Sequence, residues 1–263
     1  MQHSEHAERM AIEPLYLILL GAGWLLYVGA IFLSNKKRRP WPWFRTVFWS
    51  AGIISMALVL TGPLAAWSHT SFIAHMVGHL LLGMLAPLFM VLSAPMTLIL
   101  RALNVDSARR LVFLLKSRPI FWLSHPVTAA ILNVGGLYVL YTTDIYLAMH
   151  HNPLIELVVH AHVFFAGYLF TGAIIYIDPV AHRFSYLYRS VILIAALAGH
   201  GILSKYIYAY PPTGVPRGEA EAGGMLMYYG GDAIDLMLIV ILCYHWYKAT
   251  RPRLPEIGSE GAN

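Results

Sequence analysis

The sequence predicts an all-α, polytopic membrane protein: a bundle of seven transmembrane helices, N-terminus outside and C-terminus cytoplasmic. Three observations predict it. Of the 263 residues, 58% are hydrophobic and 12% charged, against roughly 25% charged in soluble domains. Seven apolar runs are long enough to cross a hydrocarbon core, which takes about 17–25 helical residues. The basic residues alternate between the two sides, loop by loop.

The runs cover approximately residues 14–33, 44–66, 72–100, 121–142, 153–177, 186–208 and 225–247. Residues 1–13 then form an external segment, 14–248 the transmembrane domain and 249–263 a cytoplasmic tail. The opening QHSEHAE is mildly acidic, unlike the positive start of a signal peptide. After the first run come Lys36, Lys37, Arg38, Arg39 and Arg45. After the third come Arg101, Arg109, Arg110, Lys116 and Arg118, after the fifth Arg183 and Arg189, and after the seventh Lys248, Arg251 and Arg253. Of the 18 Lys and Arg, only Arg9, Lys205 and Arg217 fall on the other side. The basic side is the cytoplasmic one.

Individual residues refine this outline. Trp41, Trp43 and Trp67 sit near span ends, where interfacial aromatics belong. Pro87 and Pro95 predict that the long third run kinks or ends early. Residues 101–120 fit a short amphipathic surface helix with Arg109, Arg110 and Lys116 at the headgroups. Pro153 suits the first turn of the fifth helix, and Pro179 follows its end. Gly78, Gly83, Gly199 and Gly201 read as positions of close helix approach. The single Cys243 excludes an internal disulfide and any CxxC motif.

The 13 histidines carry the functional signal. His125, His182 and His245 fall on the cytoplasmic side. The other ten fall outside or in the outer halves of spans. His75 and His79 share one face of the third helix, being four residues apart. At 1.5 Å per residue, His79, His160 and Asp232 lie ~10 Å below the outer surface and His200 ~12 Å below it. Four helices thus bring metal-capable groups to one layer, with His75 a turn above. Imidazole suits copper, zinc, iron and nickel, and nearby Met76, Met84, Met225 and Met227 favour Cu(I). Glu156 and Asp235 share faces with His160 and Asp232 and are candidate orienting groups. His162 points away from His160, and His150 and His151 fall in a solvated loop. The expected metal ligands are His75, His79, His160, His200 and Asp232.

The stretch HMVGHLLLGMLAPLFMVLSAPMTLILRAL resembles the CtaG-type cytochrome c oxidase assembly factors. The likeness rests on His75, Met76, His79, Leu80 to Leu82, Pro87 and Pro95. It continues through His160 with Gly167, His200, and GGMLMYYGGD ending at Asp232. Where many members carry Asp-Gln and Leu-Gly-Gly before the last span, this chain has Glu219 to Gly224, and Tyr228 stands where Trp is common. The resemblance implies a non-enzymatic role in haem–copper oxidase maturation at a bacterial plasma membrane, with copper as the metal. It further implies the oxidase subunits and a soluble copper carrier as partners beside the lipid bilayer, and no nucleic acid.

Two other classes stay open. An intramembrane zinc hydrolase would use the same histidines with Asp232 or Asp235 as acid or base, and would keep a coordination position for water. A copper or proton transporter would need polar groups continuing to the other face. Below the layer the sequence offers Asn133 and then little before His245.

Overall fold

The computed structural model describes residues 2–180 and 182–252, with side chains described from Glu13 onward. His3, His6 and the tail beyond residue 252 therefore lie outside the described side chains. The fold is all-α, with no strand among the described residues. The helices are α1 (Gln2–Lys37), α2 (Trp43–Leu60), α3 (Gly62–Ser68), α4 (Phe72–Ala102), α5 (Val105–Leu115), α6 (Arg118–Leu123), α7 (Pro126–Thr142), α8 (Ile145–His151), α9 (Pro153–Ile175), α10 (Tyr186–Ala209) and α11 (Arg217–Thr250). Six of them (α1, α2, α4, α9, α10 and α11) are long and apolar enough to cross a membrane. The fourth expected span is shorter than its apolar run, because Pro126 opens a new helix after the break at Ser124 and His125. α7 is ~25 Å long at 1.5 Å per residue. Many large apolar side chains face outward from the bundle, Leu26, Ile18 and Phe165 among them.

The connections gather at two ends. At one, Thr213 donates to Asp144 (2.9 Å) and the His69 and His150 rings meet at 5.6 Å; this is the histidine end. At the other, Arg101 donates to the Arg39 carbonyl. There too His125 packs on Phe184 at 4.7 Å and Phe121 on His182 at 4.8 Å; this is the basic end. α7 runs from the basic end to the histidine end despite its length.

Proline shapes α4. Pro87 has no N–H and its ring collides with the carbonyl four residues back, at Gly83. The helix responds with a π-helical turn over Leu80–Leu85, in which the Ala86 N–H reaches the Leu81 carbonyl. The Gly83 carbonyl lies against α9, where a Cβ on Gly167 would be 2.0 Å from it. Only glycine fits there. The helix then breaks at Ala94, which is left-handed (φ 51), and restarts at Pro95. Asp178 caps the restart, accepting from the N–H groups of Met96 (3.1 Å) and Thr97 (2.7 Å). α7 carries a second π-helical turn, Ile131–Gly135.

The core lies between α4, α7, α9, α10 and α11; α1 and α2 pack on its outside. Trp43 and Trp67 are exposed at helix ends as expected, but Trp41 is buried. The guanidinium groups of Arg45 (4.7 Å) and Arg101 (5.0 Å) both lie over its ring, and its Nε1–H donates to Tyr27 at 3.1 Å. Two cations over the ring and a hydrogen bond to Tyr27 make it a tie between α1, α2 and α4 rather than a lipid anchor.

Candidate metal site in the bundle interior

α4 begins under two caps. The Ser71 hydroxyl accepts from the Ala74 N–H, and the Glu219 carboxylate, from α11, accepts from the Phe72 N–H. An anion at a helix N-terminus is favoured by both hydrogen bonding and the helix dipole. These contacts fix the first turn, and with it His75 and His79.

His75 belongs to an outer group. Its Nε2 shares a 3.0 Å hydrogen bond with the Tyr141 hydroxyl. Phe72 stacks on one side of the ring at 6.0 Å, and Tyr146 packs edge-on at 4.9 Å. Burial, reinforced by Glu219, pushes the Tyr146 phenol up from its usual pKa, so it stays neutral. His75 and His160 line one cavity of about 20 Å³, with Ser68, Tyr141 and His79. Towards the histidine end, the His150 ring is 6.4 Å from His75, and His69 pairs with Glu156 at 3.1 Å.

His79 reaches deeper. Its ring lies 6.0 Å from that of His200, with the planes 26° apart. His79, His200, Asp235, Met84 and Asn133 line a second cavity, of about 30 Å³. A space of roughly 10–15 Å³ admits a water molecule, so a single ion fits. Both ring nitrogens of His79 and Nε2 of His200 are buried without a hydrogen-bond partner. Other histidines are satisfied by backbone: His162 on Leu132 O (3.1 Å), His245 on Ile175 O (3.2 Å) and His150 on Tyr146 O (2.8 Å). Leaving a buried polar atom unmade costs about 1–3 kcal/mol. The inner pair is therefore where a ligand would be accommodated.

The five expected ligands thus fall in two neighbouring cavities, with His79 lining both. His75, His79 and His200 are buried and His160 is half-buried. Asp232 is exposed, one turn from Asp235, which is buried and lines the inner cavity. Among the described residues no three His, Cys, Asp or Glu side chains converge as a ready-made metal centre. Glu156, expected to orient His160, pairs with His69 and also lies close enough to His160 to act on it electrostatically. His150 is held by Tyr146 and packed on His69 rather than solvated. Nothing in the sequence marks out Tyr141, one of 16 tyrosines.

Glycines set the spacing of this centre. A Cβ on Gly83 would lie 2.8 Å from Val163 and 3.4 Å from His79 Nδ1, and one on Gly231 only 2.5 Å from His200 Cε1. The His200 imidazole is wedged against the Gly231 backbone, whereas His79 would leave room for a methyl group on Gly83.

The HMxxH segment, its π-helical turn and the glycine contacts all fall within residues 25–249, which match the family model of the cytochrome c oxidase caa3 assembly factors (Caa3_CtaG). The chain belongs to this family. Similar proteins occur in mycobacteria. An uncharacterized protein of Mycobacterium leprae is 32% identical over 88% of this chain and 38% of its own length. Uncharacterized proteins of Mycobacterium bovis and Mycobacterium tuberculosis are each 34% identical over 89% of this chain and 39% of their own. The chain thus spans about two fifths of the length of the curated relatives it matches. No solved structure matches it.

Proposed function

We propose that this assembly factor serves oxidase maturation by receiving Cu(I) in the histidine layer of His75, His79, His160 and His200, holding it in the bundle interior at His79 and His200, and passing it to the nascent oxidase. The observation that carries this is the inner cavity, where His79 and His200 present unpartnered nitrogens beside Met84 and Asp235. Two imidazoles, a thioether and one carboxylate suit a soft ion held by few donors. Zinc in a hydrolase would take His79, His200 and Asp235 as three protein ligands beside a bound water; the Met84 thioether is the donor that favours Cu(I) instead. Asp235 takes the place expected of Asp232.

In this proposal α7 is the fourth of seven crossings, because it joins the two ends of the bundle that the other six helices join. The N-terminus is then outside and the C-terminus cytoplasmic, the basic end facing the cytoplasm by the charge bias of its loops. Copper arrives at the histidine end, outside the bacterial plasma membrane, from a soluble carrier, and leaves towards an oxidase subunit within the bilayer. His79 and His200 come from different helices, so a bound ion also ties α4 to α10.

The test is complementation in a bacterium whose own copy is deleted. Parental protein should restore oxidase activity and the copper content of the purified oxidase. His79→Gln and His200→Gln should insert normally yet leave the oxidase copper-deficient. Full copper loading of the oxidase with either variant would refute the proposal.

A further inference from the structure

The two cavities share one residue. His79 lines the outer one with His75 and His160, and the inner one with His200, Asp235 and Met84. Neither of its nitrogens is committed to a protein partner. A static ligand or a structural imidazole needs only one free nitrogen, the other being fixed by a hydrogen bond. His75 has such a bond: its Nε2 is tied to the Tyr141 hydroxyl at 3.0 Å, which leaves Nδ1 as the nitrogen to face an ion. Further out, His150 lies 6.4 Å from His75, ring to ring, and 5.6 Å from His69, whose imidazole is partly open to solvent. The imidazoles form a graded series from the histidine end to the interior.

We propose that His79 is the transfer residue of a two-station copper path. His75 and His160 form the receiving station, and His200, Asp235 and Met84 the retaining one. This deepens the copper proposal and rests on it. The step is a ligand exchange. A bond from Cu(I) to a His75 or His160 nitrogen breaks as a bond to a His79 nitrogen forms, and His200 then replaces the outer ligand. Copper stays Cu(I), each imidazole stays neutral, and no proton or electron is released. An unbonded His79 ring leaves its orientation free to serve either cavity, which a hydrogen bond to backbone would prevent.

The experiment mixes the full chain, in detergent micelles without oxygen, with the coloured Cu(I)–bicinchoninate complex. Loss of colour reports the rate of loading and the copper retained at equilibrium. The His75→Gln/His160→Gln double variant should load about tenfold or more slowly yet retain parental copper at equilibrium. His200→Gln should take up copper at the parental rate but hold it about tenfold or more weakly, the scale set by perturbing metal ligands. His75→Met, which keeps a soft donor, should recover the rate if His75 acts as a ligand. Parental loading rates in the double variant, or no recovery with methionine, would overturn the relay and leave the inner copper site standing. If the parental protein takes no copper from the complex, the copper proposal itself fails.

Discussion

Gly231→Ala places one methyl group against the inner site. The added Cβ would sit 2.5 Å from His200 Cε1 and 3.0 Å from its Nδ1. Ordinary carbon contacts are about 3.5–4.0 Å, so the ring must retreat by ~1 Å. The space open to it is the 30 Å³ cavity itself. Binding constellations tolerate displacements of about 0.5 Å. A shift twice that size should weaken Cu(I) binding by ten- to a hundredfold, or about 1.4–2.7 kcal/mol. Overpacking should also lower stability by about 1–3 kcal/mol. The two effects are separated by a control. In Gly52→Ala the new Cβ would meet Met90 Cγ at 2.8 Å, where α2 packs on α4 and no histidine is involved. Chelator competition and thermal unfolding on both variants give the answer. Gly52→Ala should lose stability and keep its copper affinity, whereas Gly231→Ala should lose both. Parental copper affinity in Gly231→Ala would refute the assignment of His200 as a ligand.

Two other substitutions test the frame around the site. In Gly167→Ala the Cβ would lie 2.0 Å from a backbone oxygen; no rotamer change relieves that. α4 and α9 must separate, at a cost of about 3 kcal/mol or more. An unchanged melting temperature in micelles would show that the Pro87 kink does not press Gly83 onto α9. Glu219→Ala removes the carboxylate that caps α4 at Phe72. Loss of a cap is worth about 0.5–2 kcal/mol, and Glu219→Gln, which keeps an accepting oxygen, should lose less. Equal stability of all three proteins in denaturant unfolding would contradict the cap.

Much of the fold was legible because the bilayer imposes helix length. The third run read correctly as broken, since Pro87 and Pro95 have local, backbone-level consequences. The fourth read less well. Pro126 lies inside the apolar run, yet it starts a helix, and the π-helical turn at Ile131–Gly135 changes the phase of every later residue. That turn is why Tyr141 could not be aimed at His75 from periodicity alone.

Depth predicted the meeting of His79 with His200, because depth follows from counting residues. Rotation about the helix axis does not. His160 therefore lines the outer cavity, and Asp232 lies on the exposed side of α11. One signal could have chosen Asp235. The buried stripe of α11 runs through Gly223, Gly224, Met227 and Gly231, and Asp235 is four residues past Gly231, on the same face. A glycine stripe in a membrane helix marks where backbones approach, and the acid on that stripe points inward. His150 was invisible for another reason: α8 has seven residues, too few for periodicity to separate helix from loop.

The central claim is that the interior histidines bind copper, and elemental analysis tests it most directly. The full chain, purified in detergent after Cu(I) loading and removal of excess metal, is measured beside His79→Gln and His200→Gln. Copper should be bound tightly by the parental protein and lost from both variants, with all three folded to the same extent by circular dichroism. Copper retained in both variants at the parental level, or zinc in its place in the parental protein, would contradict it.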